Sequence, residues 1–264
     1  MKKQVYQDEF TKRRALRQRR IRKKRLIIFF ISFILVMLAV GVTLSLTVFF
    51  PIESLTAGGS EIYDSVQIVS ASGISAGDNL FTFSSDEITE NIRARLPYIK
   101  TVTVKRSLPG SVSIKVTDAK KYAGYLLDGA YYIVGNDGFV LEACDASPEN
   151  VFIIDTANGV KCSTGSYIEY KDGETEEIVE SMISGFEENG ITVNTIEAGD
   201  KLALTAKVEG RFEVNFGSNS NIDKKIAHLS GMIKSIDSSK TGKINLSMWT
   251  SKRTEGTFVE QNIG

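Results

Sequence analysis

The chain has 264 residues, 24% charged and 42% hydrophobic, an ordinary globular composition that excludes wholesale disorder and a polytopic membrane protein. Its formal charge of zero hides two opposite blocks. Residues 1–25 carry 12 Lys and Arg against Asp8 and Glu9, residues 26–50 carry no charge, and residues 51–264 carry the remaining 20 basic and 30 acidic side chains. A basic end followed by an uncharged run points to a membrane before it points to nucleic acid.

Leu26 to Phe50 reads LIIFFISFILVMLAVGVTLSLTVFF, which as a helix at ~1.5 Å per residue exceeds the ~30 Å of a bilayer core. No polar stripe is present, so a buried soluble helix does not fit. Ala39 and Gly41 have the small-residue spacing of a signal-peptidase site, but the apolar run continues past them to Phe50, longer than the ~7–15 residues of a signal core. The expectation is a single uncleaved span over 26–50. The cluster Lys12–Arg25 then places the tail 1–25 in the cytoplasm and the rest outside, by the positive-inside rule.

Pro51 to Glu61, with Gly58-Gly59-Ser60, reads as a linker. Val66, Ile68 and Ser70 alternate as a short strand would. Ser84 and Glu87 have capping-box spacing ahead of Ile88, Ile92 and Leu96, which share one helical face, and Pro97 ends that helix. Val102 and Val104, the turn Leu108-Pro109-Gly110, then Val112, Ile114 and Val116 form an antiparallel hairpin with one buried face. Residues 62–118 therefore read as β-α-β-β.

Residues 119–264 read as a larger, mainly antiparallel β-domain with two helices, making the whole chain α+β. Strands 131–134 and 139–141 flank the tight turn Gly135-Asn136-Asp137-Gly138, and 151–154 is a short apolar strand. A helix over 174–188 carries Ile178, Met182 and Phe186. Strands 201–208 and 211–216 follow, then a helix over 220–236 with Ile222, Ile226, Leu229, Ile233 and Ile236 on one face, and strands 243–249 and 256–260. Cys144 and Cys162, 18 residues apart, permit a bridge without requiring one.

The search for chemistry returns little. His228 is the only histidine and lies inside a helical pattern. No phosphate loop or dinucleotide turn occurs. Lys240-Thr241-Gly242 spells a motif of penicillin-binding enzymes, but no Ser has a Lys three positions later and there is no S-D-N. The expectation is a binding module with no catalytic residue, no metal, no cofactor and no small-molecule substrate.

Gly73-Ile74, Gly77-Asp78-Asn79-Leu80-Phe81, Leu96-Pro97, Ile99 to Arg106 and Leu108 to Val116 occur in the order of the FtsQ-type POTRA domain, which this segment resembles. Tail, span, POTRA and strand-rich remainder together resemble the bacterial division proteins FtsQ and DivIB. Asp118-Ala119-Lys120-Lys121 departs from the Glu-Arg-x-Pro often found there. The resemblance implies a scaffold at the division septum that binds FtsB/DivIC-like and FtsL-like bitopic proteins, with other septal membrane proteins as further partners, and helps control septal peptidoglycan synthesis. A POTRA-type chaperone of a secretion system and an extracytoplasmic cell-wall enzyme are the alternatives. The β-prone residues Gly256, Thr257, Phe258, Val259 and Glu260 should end the sheet as an exposed edge, onto which the resemblance puts the FtsB-type partner, with Trp249 and Phe258 as aromatic anchors. Proline at Val259 should block such strand addition. Arg106, beside the Leu108-Pro109 turn, is a further candidate for a surface contact.

Overall fold

The computed structural model describes residues 24–42, 50–250 and 256–261. The first element is α1 (Lys24–Val42), a 19-residue helix with mean hydropathy 2.7, long and apolar enough to cross a membrane. Of the expected span, residues 43–49 lie outside the described residues, and Phe50 is not helical. The basic tail 1–23 also lies outside them.

The chain divides into two compact units, one of Met1–Leu55, Ile74–Ser84 and Lys105–Ser113, the other of Thr56–Gly73, Ser85–Val104 and Ile114–Gly264. The elements after α1 are β1 (Ser54–Gly58), α2 (Ser65–Ser72), α3 (Ser85–Arg95), β2 (Ile99–Ser107) and β3 (Ser111–Asp118), with the strands in a three-stranded sheet of order β1-β3-β2. The helix with Ile88 and Ile92 buried and the hairpin with Val112, Ile114 and Val116 buried stand where the periodicities put them.

Two expectations need correction. The segment read as a linker, 51–61, contains strand β1, and Ile52 before it is 2% exposed. Gly58-Gly59-Ser60 is a tight passage and not slack chain. Gly59 has φ +106°, and a Cβ there would stand 2.3 Å from the Val116 carbonyl oxygen. Secondly, Val66, Ile68 and Ser70 belong to helix α2. Asp64 accepts from the Gln67 backbone N–H at 2.7 Å, and the Gln67 side chain accepts from the Asp64 N–H at 3.0 Å. That reciprocal cap nucleates a helix, and Gly73 at φ +77° ends it. The small domain is thus β-α-α-β-β.

The larger sheet takes β4 (Ala123–Leu127), β5 (Ala130–Val134), β6 (Val140–Cys144), β7 (Phe152–Asp155), β10 (Val193–Glu197), β11 (Leu204–Val208), β12 (Phe212–Gly217), β13 (Gly242–Asn245) and β14 (Thr257–Glu260) in the order β14-β13-β12-β11-β10-β7-β4-β5-β6. Five of its pairings are antiparallel, and the β12–β13, β7–β10 and β4–β7 pairings are parallel. Strands β8 (Val160–Lys161) and β9 (Glu169–Tyr170) form a separate ribbon.

Helices α4 (Gly173–Glu188) and α5 (Ile222–Ser235) supply Ile178, Met182, Phe186, Ile222, Ile226 and Leu229 to one buried cluster with Ile154, Ile196, Ala206, Val214 and Ile244 of the sheet. Strands β11 to β13 alternate buried with more exposed residues, the pattern of a sheet covered on one face. Asp172 caps α4 by accepting from the Thr175 N–H at 2.9 Å. The fully buried Lys225 of α5 has no carboxylate partner among the described residues. Its ammonium donates to the carbonyls of Phe216 and Ser218 at 2.6 and 2.8 Å, and burial lowers its pKa. Cys144 and Cys162 are separate thiols.

Candidate partner-binding surface

Strand β14 is one edge of the nine-stranded sheet, in antiparallel register with β13: Gly242 opposite Glu260, Lys243 opposite Val259, Ile244 opposite Phe258, Asn245 opposite Thr257. Hydrogen-bonded and non-hydrogen-bonded pairs alternate in such a ladder. The Gln261 N–H donates to the Thr241 carbonyl at 3.0 Å, which makes 241/261 a bonded pair and, two residues on, 243/259 and 245/257 as well. On the other side of β13, the N–H groups of Gly242 and Leu246 donate to Arg211 and Asn215 of the β12 side, consistent with this phase. The backbone groups of Phe258 and Glu260 therefore point away from β13, towards the open edge.

This register relocates the expected test. The Val259 N–H faces β13, so proline at 259 would damage the protein's own ladder, whereas proline at 260 removes a backbone donor from the open edge together with the Lys240–Glu260 pair, which Glu260→Ala removes by itself.

Lys240-Thr241-Gly242 is the clasp that holds β14. Lys240 pairs with Glu260 at 3.0 Å, and the Thr241 hydroxyl donates to the Gln261 carbonyl at 2.8 Å. A Cβ at Gly242 would lie 2.2 Å from the Val259 carbonyl oxygen, so only glycine admits the strand this closely. A Cβ at Gly256 would lie 2.6 Å from the side-chain atoms Leu246 Cδ2 and Met232 Sδ.

The predicted side chains separate into distinct groups. Phe258 is half-buried, its ring edge-on to Phe212 at 5.9 Å, while Val259 is 62% exposed and Thr257 and Glu260 are exposed. Trp249 is 7% exposed and belongs to the core cluster, with His228 at 6.2 Å between ring centroids. It is not displayed on the surface, whereas Val259 is. Arg106 belongs to a different place in the fold. It donates to the Phe83 carbonyl at 2.8 Å and lies 4.5 Å over the Phe83 ring, so its guanidinium is held by its own unit.

Sequence reading missed Arg93. From α3 its guanidinium pairs with Asp137 at 2.8 Å, donates to the Tyr167 hydroxyl at 2.7 Å, and stacks 4.0 Å from the Phe139 ring centroid. Those partners surround the opposite edge of the sheet, at the β5–β6 turn. There the chain covers its own edge. Val140 N–H donates to Ser166, Gly165 N–H to Val140, and Ile168 N–H to Gly138, all at 2.9–3.0 Å. No local pattern signals this, because the Arg93 contacts join residues 44 and 74 positions apart.

Residues 50–118 match the family described as POTRA domain, FtsQ-type. The chain carries an FtsQ-type POTRA domain. The match begins at Phe50 and so takes in β1. Among curated proteins, the chain is similar to cell division protein DivIB of Brevibacillus brevis, 26% identical over 139 residues, or 52% of each chain. It is similar to cell division protein FtsQ of Corynebacterium glutamicum, 24% identical over 221 residues, 80% of this chain and 91% of that one. It is similar to DivIB of Clostridium botulinum, 30% identical over 136 residues, 51% of this chain and 50% of that one. The matched part thus spans about half the length of the two DivIB relatives and most of FtsQ. FtsQ and DivIB relatives across most of the chain support a division protein, and the apolar helix ahead of the POTRA domain fits a membrane anchor.

Proposed function

We propose that this chain is a non-catalytic, single-pass scaffold of the division machinery whose strand β14 takes up an added strand from an FtsB/DivIC-like partner. The observation that carries the reading is the open edge of β14. It presents the backbone groups of Phe258 and Glu260 outward, is fastened to its own sheet by the 240–242 clasp, and displays Val259 beside the unfilled ladder. An exposed strand edge is a pairing template, and main-chain bonds supply affinity while alternate side chains supply selectivity. FtsL-like proteins and other septal membrane proteins would join the same complex, and through it the chain would help control septal peptidoglycan synthesis.

In this reading the N-terminal tail is cytoplasmic, residues 51–264 are extracytoplasmic, and the chain sits at the septum. Protease added to intact protoplasts should remove the external part and leave the tail.

The partner site is tested by comparing proline variants of the full chain for binding to an FtsB/DivIC-like ectodomain. Glu260→Pro should weaken binding tenfold or more relative to Glu260→Ala, which loses the same Lys240 pair, through one edge hydrogen bond at ~1 kcal/mol and the steric block of the ring, with the two variants unfolding alike. Val259→Pro should reduce both binding and the ordering of β14. Full binding by a folded Glu260→Pro variant would move the partner site elsewhere.

A further inference from the structure

The small domain takes up the chain at the last residue of the uncharged run. Residues 26–50 are uncharged, about 20 helical residues cross a bilayer core, and Phe50 is already bonded into the small domain. Phe50 accepts from the Leu80 N–H at 2.9 Å, Ile52 donates to Asp78 and accepts from Gly77, and Glu53 donates to Gly110 at 2.7 Å. A Cβ at Gly110 would stand 2.2 Å from the Pro51 carbonyl oxygen. The arriving chain is thus gripped at once between the loop 77–83 and the β2–β3 turn. From Val42 to Phe50 the backbone reaches at most about 28 Å at ~3.5 Å per residue. Whatever those two loops display is held beside the bilayer surface at a high effective concentration.

What they display is apolar with a basic flank. Leu108, the first residue of the β2–β3 turn, is 68% exposed, and Phe81 is 51% exposed with its ring edge-on to Phe50 at 5.5 Å. Lys105 and Arg106 are exposed just before the turn, Arg106 lying over Phe83. Apolar tips with cationic neighbours suit the boundary between headgroups and acyl chains. Glu53 and Asp78 are exposed in the same unit, so the seat is shallow and driven by the two apolar side chains.

We propose that Leu108 and Phe81 form a foot that inserts into the bilayer surface on the C-terminal side of the span, fixing the POTRA domain against the membrane. The proposal rests on α1 being the anchor, and the experiment separates the two. Trp249 is the only tryptophan of the chain and is buried, so it serves as an internal reference. The full chain, with Leu108→Trp, Phe81→Trp or Thr103→Trp, is reconstituted in phosphatidylglycerol/phosphatidylcholine vesicles with or without bromine on the upper acyl chain, and the vesicles are floated. The emission added by Leu108→Trp and by Phe81→Trp should fall at least twofold in brominated vesicles. The parent chain and the Thr103→Trp variant, altered at an exposed position five residues before Leu108, should not change. A chain that fails to float refutes the anchor and the foot with it. A chain that floats while Leu108→Trp keeps its full emission, or is quenched no more than Thr103→Trp, refutes the foot alone.

Discussion

The two edges of the nine-stranded sheet meet the same hazard differently. At the start of β6 the chain covers its own edge: the segment 165–168 bonds to Gly138 and Val140, Phe139 bridges Tyr167, and Arg93 locks the arrangement through Asp137 and two aromatic rings. At β14 the edge carries no such cover among the described residues, while the strand itself is fastened inward by Lys240, Thr241 and Gly242. An unpaired edge invites association, and proteins blunt the edges they do not use. The contrast between the two edges is the ground on which we propose association at the open one.

The largest break in this contrast should come from Gly242→Ala. The new methyl would need the space held by the Val259 carbonyl oxygen at 2.2 Å, with Phe258 Cε2 at 2.9 Å and Glu260 Cα at 3.0 Å also too close. Two of these three are backbone contacts, which cannot swing aside. We expect β14 to detach, hydrogen-exchange protection to vanish for residues 257–261, and binding of an FtsB/DivIC-like ectodomain to fall below detection, with the rest of the sheet retained. Protected β14 amides in Gly242→Ala would show that the strand is not held by close approach.

Arg93→Ala acts at the opposite edge and should do the reverse. It removes two hydrogen bonds and the stacking on Phe139, a loss of about 1–3 kcal/mol measured by urea unfolding, and leaves Asp137 without its cation. Partner binding at β14 should be unchanged. Amide exchange at Val140 should quicken, and self-association at high concentration should appear as the β6 edge opens. A variant as stable as the parent would reduce the Arg93 cluster to an incidental contact.

How much of this was legible follows the range of the interactions. Helix α3, the β2–β3 hairpin, α4 and α5 could be read because their apolar residues recur within a few positions, and the β5–β6 turn because Asn136-Asp137-Gly138 is local chemistry. Helix α2 was misread because Val66, Ile68 and Ser70 satisfy period two over five residues, too short a window to reject 3.6, while the deciding cap at Asp64 and Gln67 lies just before it. Strands β4 and β10 escaped notice since each has a parallel partner in β7, far off in the sequence. The position of β14 was legible from its β-prone residues. Which of its N–H groups face outward was not, since that depends on the phase of pairing with β13.

The smallest expected effect concerns pH at the covered edge. Glu142 of β6 accepts from the Lys121 ammonium at 2.5 Å, a bond that is the main cause of its lowered pKa, with a second contribution from the Tyr98 hydroxyl. Lys121 is raised, chiefly by the same bond, and Tyr98 is pushed up to about 12, first by burial and then by Glu142. A carboxylate with a depressed folded-state pKa adds stability that is present above the ordinary Glu value of ~4.3 and is lost as pH falls through the lower one. The raised tyrosine works in the opposite direction, its contribution intact below pH ~10 and lost as pH rises towards 12. Both side chains of the ion pair are more than a third exposed, so the gain at neutral pH should be no more than ~1 kcal/mol. Lys121→Met should therefore lower the urea midpoint slightly at pH 7 and progressively less as pH falls below the ordinary Glu value of ~4.3, and should return the Glu142 carboxyl titration, followed by carbon NMR, towards its ordinary value. β14 has a longer pair in Lys240–Glu260, at 3.0 Å, so Lys240→Met gives the comparison for partner binding at the open edge. If Lys121→Met changed partner binding as much as Lys240→Met, the two edges would not be functionally distinct.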